Sequence, residues 1–258
     1  MNEPGAILWD VDGTLAETER DGHRVAFNLA FEELGLPWRW SIDRYGELLR
    51  VAGGRERLLA DLETQPAAPD DPADRETLAT EVHTLKNTHY ARLVREHGIS
   101  LRPGVMELFD ECGRRGVPMG ITTTTSRSNL DALMAVNLGP EWKGLFAAIV
   151  NGEDVTRKKP DPEVYEKAVT KIGISPAEAV AVEDTPDGVA AARGAGVPVM
   201  VARSSYFADT IIEGVIAIGA GLDSRAGWVP EAANDSGRVT LDDIATWLEQ
   251  SRNDSSPG

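Results

Sequence analysis

Asp10 and Asp12 stand two residues apart in AILWDVDGTLAETE, directly behind the apolar run Ile7-Leu8-Trp9 and ahead of Gly13-Thr14. A carboxylate at a strand end can attack phosphorus and form an aspartyl phosphate. A carboxylate two residues further on can protonate the leaving oxygen and later deprotonate water. A second acid pair, Glu183-Asp184, closes the run AVAVED, a run of threonines ends VPMGITTTT, and Lys158-Lys159 opens KKPDPEVY. Clustered carboxylates repel and need a cation; hard oxygen ligands select Mg²⁺, which keeps waters and bridges to a phosphate. Hydroxyl and backbone N–H groups suit phosphoryl oxygens, and a lysine offsets the summed negative charge. Taken singly, each feature has a plainer explanation. A strand-end Asp is usually a turn or cap residue, Glu183-Asp184 suits the cap of the next helix, and paired lysines are usually solvated. Together, in this order, they point to metal-assisted phosphoryl transfer.

These groups meet only if the strands that end in them lie side by side. The runs ILWDV, VPMGITTTT, FAAIVNG, AVAVED and VPVMVA alternate with the helical patterns SRSNLDALMAVNLG, DPEVYEKAVTKIGI and TPDGVAAARGAG. That order predicts an α/β fold, a doubly wound parallel sheet covered on both faces, with ligands at the carboxyl ends of its strands. Residues 19–92 carry no strand pattern; helices are expected at 20–35 and 75–98, with the proline- and acid-rich 64–74 between them. The expected organisation is a discontinuous core, 1–18 and 93–250, a helical cap inserted after the first strand, 19–92, and a disordered tail, 251–258.

The chain has 258 residues, 41% of them apolar, a formal charge of −16 and one cysteine, Cys112. This composition is that of a globular protein. The negative field argues against nucleic acid and anionic membranes as partners but not against an anionic small molecule bound in a local cluster of cations. One cysteine allows no intrachain disulfide, and no run approaches 18 apolar residues. A cytoplasmic monomer acting on a small molecule is expected.

DVDGTL, a strand-end Thr, KKPDPEVY and AVEDTPDGVAAARGAG, in that order, resemble the signatures of the haloacid-dehalogenase superfamily. The helical insertion resembles the cap of its first structural class. AETERDGHRVAF, YGELLRVAGGRERL and LRPGV are similar to the CbbY family. Those are Calvin-cycle phosphatases of xylulose 1,5-bisphosphate and lie near the β-phosphoglucomutases. The resemblance implies Asp10 as nucleophile, Asp12 as general acid and base, and Thr123 as the phosphoryl ligand, assisted by the Thr124 backbone. It implies Lys159, beside Pro160, as the neutralising lysine. Mg²⁺ would be held by Asp10, the Asp12 carbonyl and Asp184, with support from Glu183. Substrate contacts are implied for Glu17, His23, Arg24, Tyr45, Arg55, Arg57 and Lys86. Two departures stand out: Trp9 where Phe is usual, and a long, glycine-rich segment at 214–241 that leaves the C-terminal packing open. A phosphoglucomutase and a general sugar-phosphate phosphatase remain alternatives. A non-enzymatic phospho-Asp receiver is remote, because it has roughly half this length and no cap.

Overall fold

A computed structural model describes residues 3–232 and 236–254. Its sheet contains β1 (Ala6–Trp9), β2 (Met119–Thr122), β3 (Ala148–Val150), β4 (Ala179–Glu183), β5 (Val199–Ala202) and β6 (Ala217–Gly219). All neighbours pair in parallel, in the order β3-β2-β1-β4-β5-β6. The chain winds to one side through β2 and β3, then returns past β1 and winds the other way. The resulting switch point, between β1 and β4, is where such sheets bind ligands. Trp9 is level with Ile121 on one side and Val182 on the other, so Asp10, the threonines and Glu183-Asp184 emerge along one edge.

The strands are short, apolar and buried, as expected when helices cover both faces. Because side chains alternate along a strand, Ile7 and Trp9 enter one core and Leu8 the other. The first core is shared with α5 (Val105–Arg115), α6 (Arg127–Leu138) and α9 (Leu241–Asp254); the second is shared with α7 (Glu163–Ile172) and α8 (Pro186–Gly194). A third, aromatic core joins α1 (Arg24–Glu33), α2 (Ile42–Leu48), α3 (Gly54–Leu62) and α4 (Pro72–His97) through Phe27, Phe31, Trp40, Tyr45, Leu58 and Val82. A π-helical turn, Glu19–His23, leads into α1. Helix α4 starts where Asp71 accepts the Ala73 N–H and Pro72 fills the first turn, both favourable there. It then runs unbroken past residue 92, the expected boundary, and packs against α6.

The C-terminal segment holds two elements absent from the sequence reading, β6 and α9. Trp228 stacks on Trp247 of α9, with ring centroids 4.9 Å apart, and closes the first core. A Cβ on Gly219 would lie 2.3 Å from the Trp228 ring, so this glycine serves close packing. Residues 251–254, expected to be disordered, are the last turn of α9, and 255–258 lie outside the described residues. Among the described residues, no helix is long and apolar enough to cross a membrane.

Candidate active site

The site starts with Asp10, whose backbone N–H extends the sheet by donating to Val182 O at 3.1 Å. Lys159 enters from the loop after β3. Its Nζ donates to Asp10 Oδ1 and Glu183 Oε1, both at 2.6 Å, and to Thr122 O at 2.8 Å. Tyr165 donates its hydroxyl to the same Glu183 oxygen at 2.5 Å. Burial works against the charge on Lys159, but Asp10 and Glu183 together outweigh it and raise its pKa. Burial pushes Asp10 up to about 8 despite the opposing Lys159. Burial, then the neighbouring Asp10 and Glu183, also pushes Asp184 well above the ordinary carboxylate range.

Asp10, Glu183 and Asp184 each place an oxygen within 4.8 Å of the others. One lysine cannot balance three buried acids, so this set of hard oxygen donors fits a divalent cation. Two glycines permit the crowding. A Cβ on Gly13 (φ +92) would lie 2.1 Å from Asp184 Oδ2, and one on Gly188 would lie 2.0 Å from Glu183 Oε2. Thr14 donates its hydroxyl to Asp184 at 3.3 Å.

Asp12 faces the cleft beside this cluster. Its Oδ1 accepts from Thr18 Oγ1 at 2.5 Å and pairs with His23 Nε2 at 2.9 Å, while the His23 ring stacks on Tyr90. Burial would raise the Asp12 pKa, but His23, the Thr18 hydroxyl and Lys86 overcome it and hold it down at about 2.

Above the strand ends lie two adjoining cavities, of about 230 and 250 Å³, that share Asp12, Glu19, Gly53, Arg57 and Thr124. The first covers Asp10, Lys159 and Asp184; the second reaches between α4 and α6 to His23, His83, Lys86 and Asn129. Lys86 is 3% exposed, its ammonium 5.3 Å from the Phe27 ring centroid and 5.5 Å from that of Tyr90. Its one hydrogen bond among the described residues is to Asn87 Oδ1 at 3.4 Å. Burial pulls its pKa down to about 8. Arg57, also buried, donates from Nη1 to Tyr45 Oη at 2.7 Å and to Glu19 Oε2 at 3.5 Å, and Tyr45 in turn donates to Glu19. Tyr45 therefore stands behind Arg57 and lines neither cavity. Glu17 sits at the rim and accepts from the Ser205 hydroxyl at 2.9 Å.

Besides Tyr45, three expected site residues fall elsewhere. The Thr123 side chain is turned inward, 1% exposed, with its hydroxyl accepting the Thr125 N–H; Thr124, one residue on, lines both cavities. Arg24 points along α1 to the carbonyls of Arg20 and Trp40, outside the cleft. Arg55 pairs with Glu76 on the outer face of α3 and α4. Glu19, Tyr165 and Asn129 join the site or its support without having been singled out, and Thr14 and Lys158, noted only beside Gly13 and Lys159, join it too. Their partners are distant in sequence, and only the fold brings them close.

A switch-point sheet, a strand-end aspartate under a buried lysine, and an acid trio facing a helical layer define a class of hydrolase. The chain belongs to the haloacid dehalogenase-like hydrolases, whose family model matches residues 4–196. Within that family it is a homologue of the CbbY proteins. It is 42% identical to the plasmid-encoded CbbY of Cupriavidus necator over 83% of this chain and 84% of that one. It is 39% identical to CbbY of Cereibacter sphaeroides, over 86% and 97% respectively. The crystal structure of Rhodobacter sphaeroides CbbY in complex with xylulose 1,5-bisphosphate matches with a TM-score of 0.79 and 36% identity, covering 84% of this chain and 94% of that one. Members of the family generally use a divalent metal, which agrees with the acid trio.

Proposed function

We propose that this chain is a Mg²⁺-dependent phosphatase that hydrolyses xylulose 1,5-bisphosphate through an aspartyl phosphate on Asp10. One observation carries the choice of a bisphosphate. The acid and lysine cluster lies at one end of the cleft, and Lys86, a buried ammonium with no carboxylate partner among the described residues, lies toward the other. A phosphate at each end of a small sugar would satisfy both. The likeness to a CbbY solved with this compound supports the same reading.

Asp10, Asp184 and the Asp12 carbonyl would hold the cation, with Glu183 behind. When bound, it supplies Lewis-acid polarisation of the phosphoryl oxygens. Burial favours the protonated Asp10, so Lys159 and the bound cation together would supply the positive charge that ionises it for attack. The Asp10 carboxylate bonds to phosphorus, the bond from phosphorus to the sugar oxygen breaks, and that oxygen takes a proton from Asp12. The contact with His23 Nε2 orients Asp12 Oδ1 in the cleft. The low pKa of Asp12 then favours the carboxylate, the form that takes a proton from water as the water oxygen displaces Asp10. Thr124, lining both cavities, takes the place of Thr123 as the hydroxyl nearest the phosphoryl group.

Residues 19–92 act as the cap of this site. They have their own aromatic core, and they supply His23, Arg57 and Lys86 to the cleft. A monomer in the cytoplasm is part of the same proposal. Phosphate release with Mg²⁺ from a panel of sugar mono- and bisphosphates tests the reading. A preference of at least about tenfold for xylulose 1,5-bisphosphate is expected, the scale of one charged phosphate contact. Equal rates across the panel would replace it with a general sugar-phosphate phosphatase. Isomerisation of β-glucose 1-phosphate without net release would replace it with a mutase.

A further inference from the structure

Among the described residues, two ion pairs join the segment 19–92 to the rest of the chain: His23 with Asp12, and Lys158 with Glu56. The first lies inside the site. The second has no part in the mechanism above, yet Lys158 Nζ reaches both Glu56 oxygens at 2.8 Å. Each partner is the chain neighbour of a site residue. Lys158 precedes Lys159, which bonds the nucleophile, and Glu56 precedes Arg57, which lines both cavities. The pair also lies against Gly53 (φ +90), where a Cβ would come within 2.3 Å of Glu56 Oε2 and 2.9 Å of Lys158 Nζ. Gly53 itself borders both cavities. The two charges therefore hold the first turn of α3 and the loop that carries Lys159 at a set separation, beside the second cavity, which Lys158 lines.

We propose that Lys158 and Glu56 are positioning residues that tie the two halves of the active site together, so that Arg57 and Lys159 face the same substrate. The inference rests on the reaction proposed above. Neither side chain is fully buried, at 27% and 39% exposed, so substitution leaves the cores intact.

The test compares kcat and KM on xylulose 1,5-bisphosphate for the wild type, Glu56→Gln, Lys158→Met and the charge swap Glu56→Lys with Lys158→Glu, each checked for folding by thermal melting. Each single variant should lose about three- to fivefold in kcat/KM, the scale of a partly exposed ion pair. The swap should regain most of that loss, which general loosening of the fold would not produce. Raising the salt should narrow the gap between the wild type and the single variants, because the tie is screened. Single variants indistinguishable from the wild type, or a swap no better than either, would overturn the tie. Should the wild type leave the bisphosphate intact, the substrate reading fails by itself. The same four proteins are then compared on whichever sugar phosphate is hydrolysed, and the swap decides.

Discussion

Replacing Lys86 with methionine separates what the cleft needs from what the fold prefers. The ammonium is 3% exposed and has no carboxylate partner among the described residues. Burial lowers its pKa from the ordinary 10.5 to about 8, a penalty on the charged form of about 3 kcal/mol. The folded state thus sheds the proton more readily than the unfolded chain. Wild-type stability should rise with pH between about 8 and 10.5, where the unfolded chain holds more protons. Below pH 8 the full penalty applies, so Lys86→Met should be more stable than the wild type at pH 7, by up to about 3 kcal/mol. That advantage should shrink as pH climbs to 10.5. The same change should lower kcat/KM for the bisphosphate by about ten- to a hundredfold, the value of a charge-assisted phosphate contact. It should spare p-nitrophenyl phosphate, which has no second phosphate. Urea unfolding at pH 7 and pH 10, with paired kinetics on the two substrates, measures both effects. A variant that is less stable at pH 7, or that loses equally on both substrates, would refute the assignment of Lys86 as an anion-seeking group.

Other changes address the acid cluster. Gly188→Ala would put a methyl 2.0 Å from Glu183 Oε2 and push that carboxylate away from Lys159; kcat should fall at least about tenfold on all substrates, the cost of about 1.4 kcal/mol of misplacement. Gly13→Ala, at φ +92 and 2.1 Å from Asp184 Oδ2, should raise the Mg²⁺ concentration needed for half-maximal rate, as read from a metal titration. Asp10, raised by burial to about 8 in the metal-free protein, holds a proton that the unfolded chain releases near pH 4. Metal-free stability should therefore fall as pH rises from 4 to 8, and the gain in melting temperature on adding Mg²⁺ should grow over the same range.

The alternation of strands and helices through β5 was legible because each element carries its own local pattern. The strand-end acids were legible because the edge of a parallel sheet gathers whatever each strand delivers. β6 has three residues and no period to detect, and α9 follows a glycine-rich stretch whose purpose appears only when Trp228 meets Trp247. Four consecutive threonines offer no chemical distinction between Thr123 and Thr124; the backbone after β2 decides which one faces the cleft. Arg55 and Arg57 differ by two residues, roughly 200° around a helix. One points into the cavities and the other out to Glu76. The pairing of Lys158 with Glu56 spans 102 residues, beyond any local pattern.

In the proposed reaction Asp10 carries the phosphoryl group taken from a sugar bisphosphate. The most direct measurement is rapid-quench mass spectrometry of the enzyme mixed with xylulose 1,5-bisphosphate and Mg²⁺. Phosphate should appear on the peptide that contains Asp10 and decay as inorganic phosphate is released. Asp10→Asn should bind the substrate yet show neither label nor release. Turnover of the bisphosphate by Asp10→Asn, or a label on any other residue, would contradict the account.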